Sequence, residues 1–249
     1  MKKLLYILSF LLNISVFAQN NAIFESANAL YNEGKYAEAI DKYNAILDTK
    51  NHSAELYFNL GNAHYKLNHI APSIYFYEKA LKLAPNDADI ENNLAFARNM
   101  TIDAIDVIPE AGLAKLLNNT ANTFTYDGWS KISIAFVFCF VILFLIYYFA
   151  YTTLRKRLAF LGSLASLMFM CISLLFAFHK FNLDKRDRPA IVFAKESIIK
   201  SAPNNRSEES FRLHEGTKVQ ILDTLNSWKK IKLQDGKMGW IPTEDLKAL

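Results

Sequence analysis

"LYFNLGNAHYKLNHIAPSIYFYEKALKLAPND", residues 56–87, decides how the first half of this 249-residue chain folds. Its apolar residues recur at helical spacing on either side of Asn68, and Pro85 ends the second run. The stretch therefore reads as two helices joined by a tight turn. Asparagine tolerates left-handed backbone, which suits Asn68 to that turn. Gly61 is small where the two helices cross, and Ala80 is small where one helix pair meets the next. Set against residues 20–53, the pattern repeats at a spacing of 34: Phe24 falls on Phe58, Asn28 on Asn62, Tyr31 on Tyr65 and Tyr43 on Tyr77. Small residues recur at Ala27, Gly61 and Ala95, and Leu60 falls on Leu94.

A helix pair of this period resembles the tetratricopeptide repeat. In the first unit, 20–53, Gly34 supplies the turn, Tyr36 packs beneath it and Ala39 is the small residue of the second helix. Ile46 and Asn51 stand where the pattern usually has Ala and Pro. The second unit is 54–87. A third start, "ADIENNLAFARNM", keeps Leu94 and Ala95 but has no second helix, so 88–101 is read as a capping helix over the apolar end of the stack. The resemblance implies a concave face, built from the first helix of each pair, that binds extended peptides or partner helices. Here that face carries Phe24, Asn28, Tyr31, Phe58, Asn62, Tyr65 and Phe96. The asparagines are suited to hydrogen-bond a peptide backbone and the rings to supply apolar contact. For Tyr31 and Tyr65, packing between repeats is the other reading. A clamp for a C-terminal carboxylate is not expected. Asn28 and Asn59 match its asparagine positions, but Phe24, Asp89 and Asn93 stand where cations are needed.

Farther along, "ISIAFVFCFVILFLIYYFAY" (132–151) and "LAFLGSLASLMFMCISLLFAF" (158–178) are uncharged and long enough to span a bilayer, which takes about 20 residues. Trp129 precedes the first, and Tyr147, Tyr148 and Tyr151 close it, as interfacial aromatics do. The connector at 152–157 holds Arg155, Lys156 and Arg157, so a tight hairpin with a cytoplasmic turn is expected. Lys180, Lys185, Arg186 and Arg188 at the far end weaken a bare charge count. At the N-terminus, Lys2, Lys3, an apolar run to Val16 and Val16-Phe17-Ala18 read as a signal peptide over 1–18. Signal peptide and span parity together place both polar parts on the external face of a membrane, with the connector inside. The segment 102–131 is a membrane-proximal amphipathic connector. Leu113, Leu116, Leu117, Thr120, Ala121 and Phe124 share one side of a helix, ended by Asp127 and Gly128. Either a helix at the membrane surface or an extension of the repeat stack fits this pattern.

After "NLDKRDRP" the period changes from helix to strand. Residues 189–249 alternate and break at Gly216, Asn226-Ser227 and Asp235-Gly236. The order Gly216, Val219/Ile221, Trp228, Ile231/Leu233, Asp235-Gly236, Gly239-Trp240-Ile241-Pro242 and Leu246 resembles bacterial SH3-like domains, which implies a small all-β barrel. Alternation puts Val219, Ile221, Ile231 and Leu233 inside. Such domains are often linked to cell-wall peptides. Phe211, Trp228 and Trp240 are the groove candidates, with the core as the other place for Trp240.

The fold class expected is thus a multi-domain membrane protein: an all-α tetratricopeptide array, a two-helix transmembrane hairpin and an SH3-like barrel. The net charge of +4 is too small to argue for nucleic acid. Cys139 and Cys171 both lie in the apolar middle, as small hydrophobes. The five histidines read as scattered, and His64 and His69 as ill placed to share a metal on one helix face. No phosphate loop or nucleophile motif is present, so a non-enzymatic binding protein without cofactor or metal is expected. The whole arrangement resembles the BatE family of Bacteroides aerotolerance (Bat) operons, including the Trp-marked approach "IPEAGLAKLLNNTANTFTYDGWSKISIAF". That resemblance implies an inner-membrane scaffold working with membrane-anchored von Willebrand A-type partners and a MoxR-type ATPase. Peptidoglycan binding through the barrel is the alternative.

Overall fold

In the computed structural model, residues 20–106 and 112–249 are described. The signal peptide expected at 1–18 lies outside them, as does residue 107–111 of the connector. The chain forms two compact units. One gathers residues 20–106 with 188–249; the other comprises 112–187.

In the first unit the repeats form five helices: α1 (20–32), α2 (Tyr36–Asp48), α3 (Ala54–Lys66), α4 (Ile70–Leu83) and α5 (Ala88–Arg98). The turn within each pair needs left-handed backbone, and Gly34 (φ 81°) and Asn68 (φ 59°) supply it. Ser53 caps α3 by accepting from the Leu56 amide at 3.1 Å, and Asp87 caps α5. At Gly61 a Cβ would stand 2.6 Å from the Tyr77 ring, so α3 and α4 cross at a distance only glycine permits.

The β domain has seven strands: β1 (Pro189–Val192), β2 (Glu196–Lys200), β3 (Glu209–His214), β4 (Lys218–Leu225), β5 (Trp228–Lys232), β6 (Met238–Pro242) and β7 (Leu246–Ala248). They form one antiparallel sheet in the order β3-β2-β6-β5-β4-β1-β7. Bulges at Ile199/Lys200 and Ile221/Asp223 bend the strands. Val219, Ile221, Ile231 and Leu233 are buried together with Ile199, Leu213 and Ile241.

These two polar parts, separate modules by sequence, pack into one body. Ile191 of β1 is buried in the helical core beside Ile74, Tyr75 and Tyr77, with Phe193 and Leu249 against the same cluster. Gly216 (φ 88°) sits so close to the helices that a Cβ would meet Thr101, Ile70 and Ile74 at 2.8–2.9 Å. Polar pairs complete the seam. Glu78 of α4, 6% exposed, accepts from Arg98 at 2.6 Å and from Lys218 of β4 at 2.7 Å. A carboxylate this buried needs such pairing. Asp103, after α5, accepts from the His214 amide and Nδ1 (2.7 Å each) and from the Thr217 hydroxyl (2.6 Å). Burial raises the Asp103 pKa, but the bonds from Thr217 and His214 outweigh it and hold the carboxyl below its ordinary value. Ile105 packs against the β core, so the first residues of the connector belong to this seam.

The second unit contains α6 (Gly112–Ala121), α7 (Tyr126–Phe149) and α8 (Thr153–Arg186). The latter two are long and apolar enough to cross a membrane. They pack along Ala159, Ser163, Ser166, Ser173 and Ala177, the buried side of α8. The Ser166 hydroxyl donates to the Phe136 carbonyl (2.9 Å), and Ser133 to that of Met170 (3.3 Å). Three boundaries depart from expectation. Only residues 150–152 interrupt the helices, because Leu154, Arg155, Lys156 and Arg157 are good helix formers and enter the first turn of α8. At its other end α8 runs beyond Phe178, where Lys180 pairs with Asp184 at 2.8 Å across one turn. Asp127 and Gly128 do not end α6; they open α7, with Thr125 accepting from the Gly128 amide at 3.0 Å.

Candidate functional site

The first helices α1, α3 and α5 carry the expected concave face, and the structure divides it into three depressions. Tyr31, Asn62, Tyr65 and Phe96 come together with Lys66, Tyr77 and Asn93 around a cleft of about 220 Å³. Phe96 stands 60% exposed at its edge. Phe24 lies in a neighbouring depression with Asn20, Asn51, His52 and Glu55, its ring 5.8 Å from that of Tyr43. Phe58 lines a third, beside Glu55, Asp87 and Asp89, and packs on Tyr77 (6.0 Å between ring centres).

The side-chain oxygens of Asn28 and Asn62 are engaged within the array. The Asn28 carbonyl oxygen accepts from the Tyr43 hydroxyl (2.6 Å) and from Asn59 Nδ2 (3.1 Å). One repeat later the Asn62 oxygen accepts from Tyr77 (2.7 Å) and Asn93 Nδ2 (2.8 Å). These oxygens are therefore structural, because each buried tyrosine hydroxyl requires an acceptor. Burial pushes the Tyr43 phenol up to about 12 and Tyr77 upward as well, so both hydroxyls remain donors. Asn59 and Asn93 were not recognised as partners, although they too are 34 residues apart. The rings of Tyr31, Tyr65 and Phe96 line the cleft, with Lys66 as its cation.

His64 and His69, read as ill placed to share a metal on one helix face, meet across the turn between α3 and α4. The Asn68 turn brings Nδ1 of His64 and His69 within 3.2 Å, and His64 stacks on Phe76 (5.5 Å, 9°). Burial, then the charges of His69 and Lys247, push the His64 pKa down from 6.5 to about 4. Its neutral form is thus favoured on folding. The stability this contributes is complete above pH 6.5 and lost as pH falls toward 4. The effect is on the order of 1–2 kcal/mol, discounted because the ring is partly exposed. We expect His64→Phe, which keeps the stack on Phe76, to flatten the loss of thermal stability between pH 7 and pH 4.5.

On the β domain, strand parity separates the three groove candidates. Phe211 lies opposite Ile199 and packs against the inner core. Trp240, flanked in sequence by buried Gly239 and Ile241, faces outward between Lys230 and Lys200. Trp228 lies opposite Pro242 on that same outer face. Neither the groove with Phe211 nor a core place for Trp240 is therefore formed; the outer face holds two half-buried tryptophans among lysines.

With this geometry in hand, the comparisons fall on the same segments. Residues 27–68 match the family described as TPR repeat, residues 54–87 that described as Tetratricopeptide repeat, and residues 196–247 the Bacterial SH3 domain. No curated protein matches the chain. The chain thus combines a tetratricopeptide-like helical array, two long apolar helices and a C-terminal antiparallel β domain like the bacterial SH3 domains.

Proposed function

We propose that this protein is a non-enzymatic, membrane-anchored scaffold that holds a partner protein in the cleft of its helical array. The observation that carries the reading is the open cleft itself. Phe96 is exposed at its rim, and the rings of Tyr31 and Tyr65 converge there over a hydrogen-bonded Asn–Tyr–Asn floor. A large exposed ring beside half-buried aromatics is the composition of a binding hot spot. In this reading α7 and α8 cross the membrane. Residues 20–106 and 188–249 pack into one body with a buried seam, which supports both flanks lying on one side, as two spans require. The basic turn Arg155, Lys156 and Arg157 supports a cytoplasmic hairpin tip and a periplasmic body in an inner membrane. A Bat-type complex with von Willebrand A-type membrane partners, serving aerotolerance or envelope stress, is the physiological setting we propose.

Tyr65→Ala/Phe96→Ala in the full chain is expected to lower recovery of crosslinked partner at least tenfold, about 1.4 kcal/mol or more. The melting temperature should stay near that of the parent, because Phe96 is exposed and Tyr65 lies at the edge of the core. Unchanged recovery would sink the scaffold reading. A second reading, attachment to peptidoglycan, is favoured by the outward pair Trp228 and Trp240 beside Lys200 and Lys230. The same double variant separates the two, since cell-wall retention would not respond to it.

A further inference from the structure

α6 is held on one side and left bare on the other. Its Asn118 side chain meets His179 Nε2 at 3.0 Å, and Asn122 accepts from Lys180 Nζ at 2.9 Å. Both partners belong to α8. The corner into α7 is fixed as well. Trp129 Nε1 donates to the Ala121 carbonyl at 3.0 Å, and the Trp129 ring stacks on Phe176 at 4.9 Å. At about 100° per residue, Asn118 and Asn122 project away from Leu113 and Leu116. Those two leucines are 70% and 62% exposed, and Leu117 and Phe124 are exposed beside them. Such a contiguous apolar face on a rigidly mounted helix calls for an apolar neighbour.

We infer that this Leu113–Leu116–Leu117–Phe124 face of α6 is seated in the lipid interface of the bilayer. The inference rests on the reading that α7 and α8 span that bilayer. Three observations favour lipid over a protein neighbour. The contacts with α8 fall at His179 and Lys180, immediately after Phe178, the last residue of the uncharged run. At 1.5 Å per residue that level is within about 3 Å of the run's end, where a surface-lying helix buries its apolar side. The hairpin also exposes apolar surface near that level at Tyr126, Phe178 and Phe181, with Tyr126 edge-on to Phe181 at 5.8 Å. Finally, Lys115 is exposed on the polar side of α6 and Lys131 in the second turn of α7, cations that suit anionic headgroups.

Nitroxide accessibility on the full chain in phosphatidylcholine/phosphatidylglycerol vesicles tests this. In a Cys139→Ala/Cys171→Ala background, single labels are placed through Leu117→Cys, Asn119→Cys and, as the span control, Phe138→Cys; 117 and 119 lie about 160° apart around the helix. The label at 117 should respond to oxygen and be shielded from a water-soluble nickel chelate. The label at 119 should show the reverse, with a several-fold difference in the oxygen-to-nickel ratio. If 117 reads like 119, or is shielded from both reagents as beneath a second copy, while 138 reports hydrocarbon, the interfacial seat is wrong although the spans stand. If 138 itself reports water, the spanning reading fails and the inference falls with it.

Discussion

Gly216→Val is expected to pry the β domain from the helical array, at a loss of about 2–6 kcal/mol. Two costs add. Valine must adopt a φ of 88°, a conformation that costs about 1–3 kcal/mol in a non-glycine residue. Its Cβ must also enter space already held at 2.8–2.9 Å by Thr101, Ile70 and Ile74, an overpacking of about 1–3 kcal/mol. Ile70 and Ile74 belong to α4 and Gly216 precedes β4, so relief means separating the two parts. Urea unfolding followed on both parts should then resolve two transitions where the parent shows one. Gly34→Ala is the matched control. Gly34 has the same sign of φ but nothing within 4 Å of the added carbon. It should carry only backbone strain of about 1 kcal/mol and leave the seam intact.

Gly61→Val should be comparably severe, at about 3–4 kcal/mol, but local to the second repeat. The new Cβ would lie 2.6–2.7 Å from ring atoms of Tyr77, which is fully buried and tied to Asn62. That ring cannot turn aside without losing its hydroxyl bond, so overpacking adds to the poor helix propensity of valine. Gly61→Ala gives the sharper sign test. On an open helix surface alanine would stabilise by about 1 kcal/mol over glycine; here it should destabilise. Chemical denaturation of both variants, with partner capture measured alongside, checks the crossing and the cleft floor together.

The parts of the fold encoded by local period were legible in the sequence. The 34-residue spacing located both helix pairs. Asn68 was recognised as a left-handed turn, and strand alternation chose Val219, Ile221, Ile231 and Leu233 for the β core. What escaped notice depends on long-range pairing. Glu78 to Lys218, Asp103 to His214 and Lys82 to Leu249 join residues 140, 111 and 167 apart, and no periodicity encodes such contacts. A signal was nonetheless present. α4 carries Ile70, Ile74, Tyr75, Phe76 and Leu81 around most of its circumference, more apolar surface than one repeat neighbour can cover. Within the cleft, the aromatic positions were legible. Assigning Asn28 and Asn62 to a ligand missed the tyrosine hydroxyls beneath them. Phe211 was misplaced because composition marks an aromatic as a groove candidate while strand parity decides its face.

The helical array and the β domain, on either side of the apolar hairpin in sequence, form one body, and native-state hydrogen exchange on the full chain in lipid nanodiscs measures that unity. Amides of α4 and of β1 and β4 should open with the same free energy and the same denaturant dependence, as members of one cooperative unit. Exchange of the β strands at a distinctly lower free energy, with α4 protection unchanged, would contradict it.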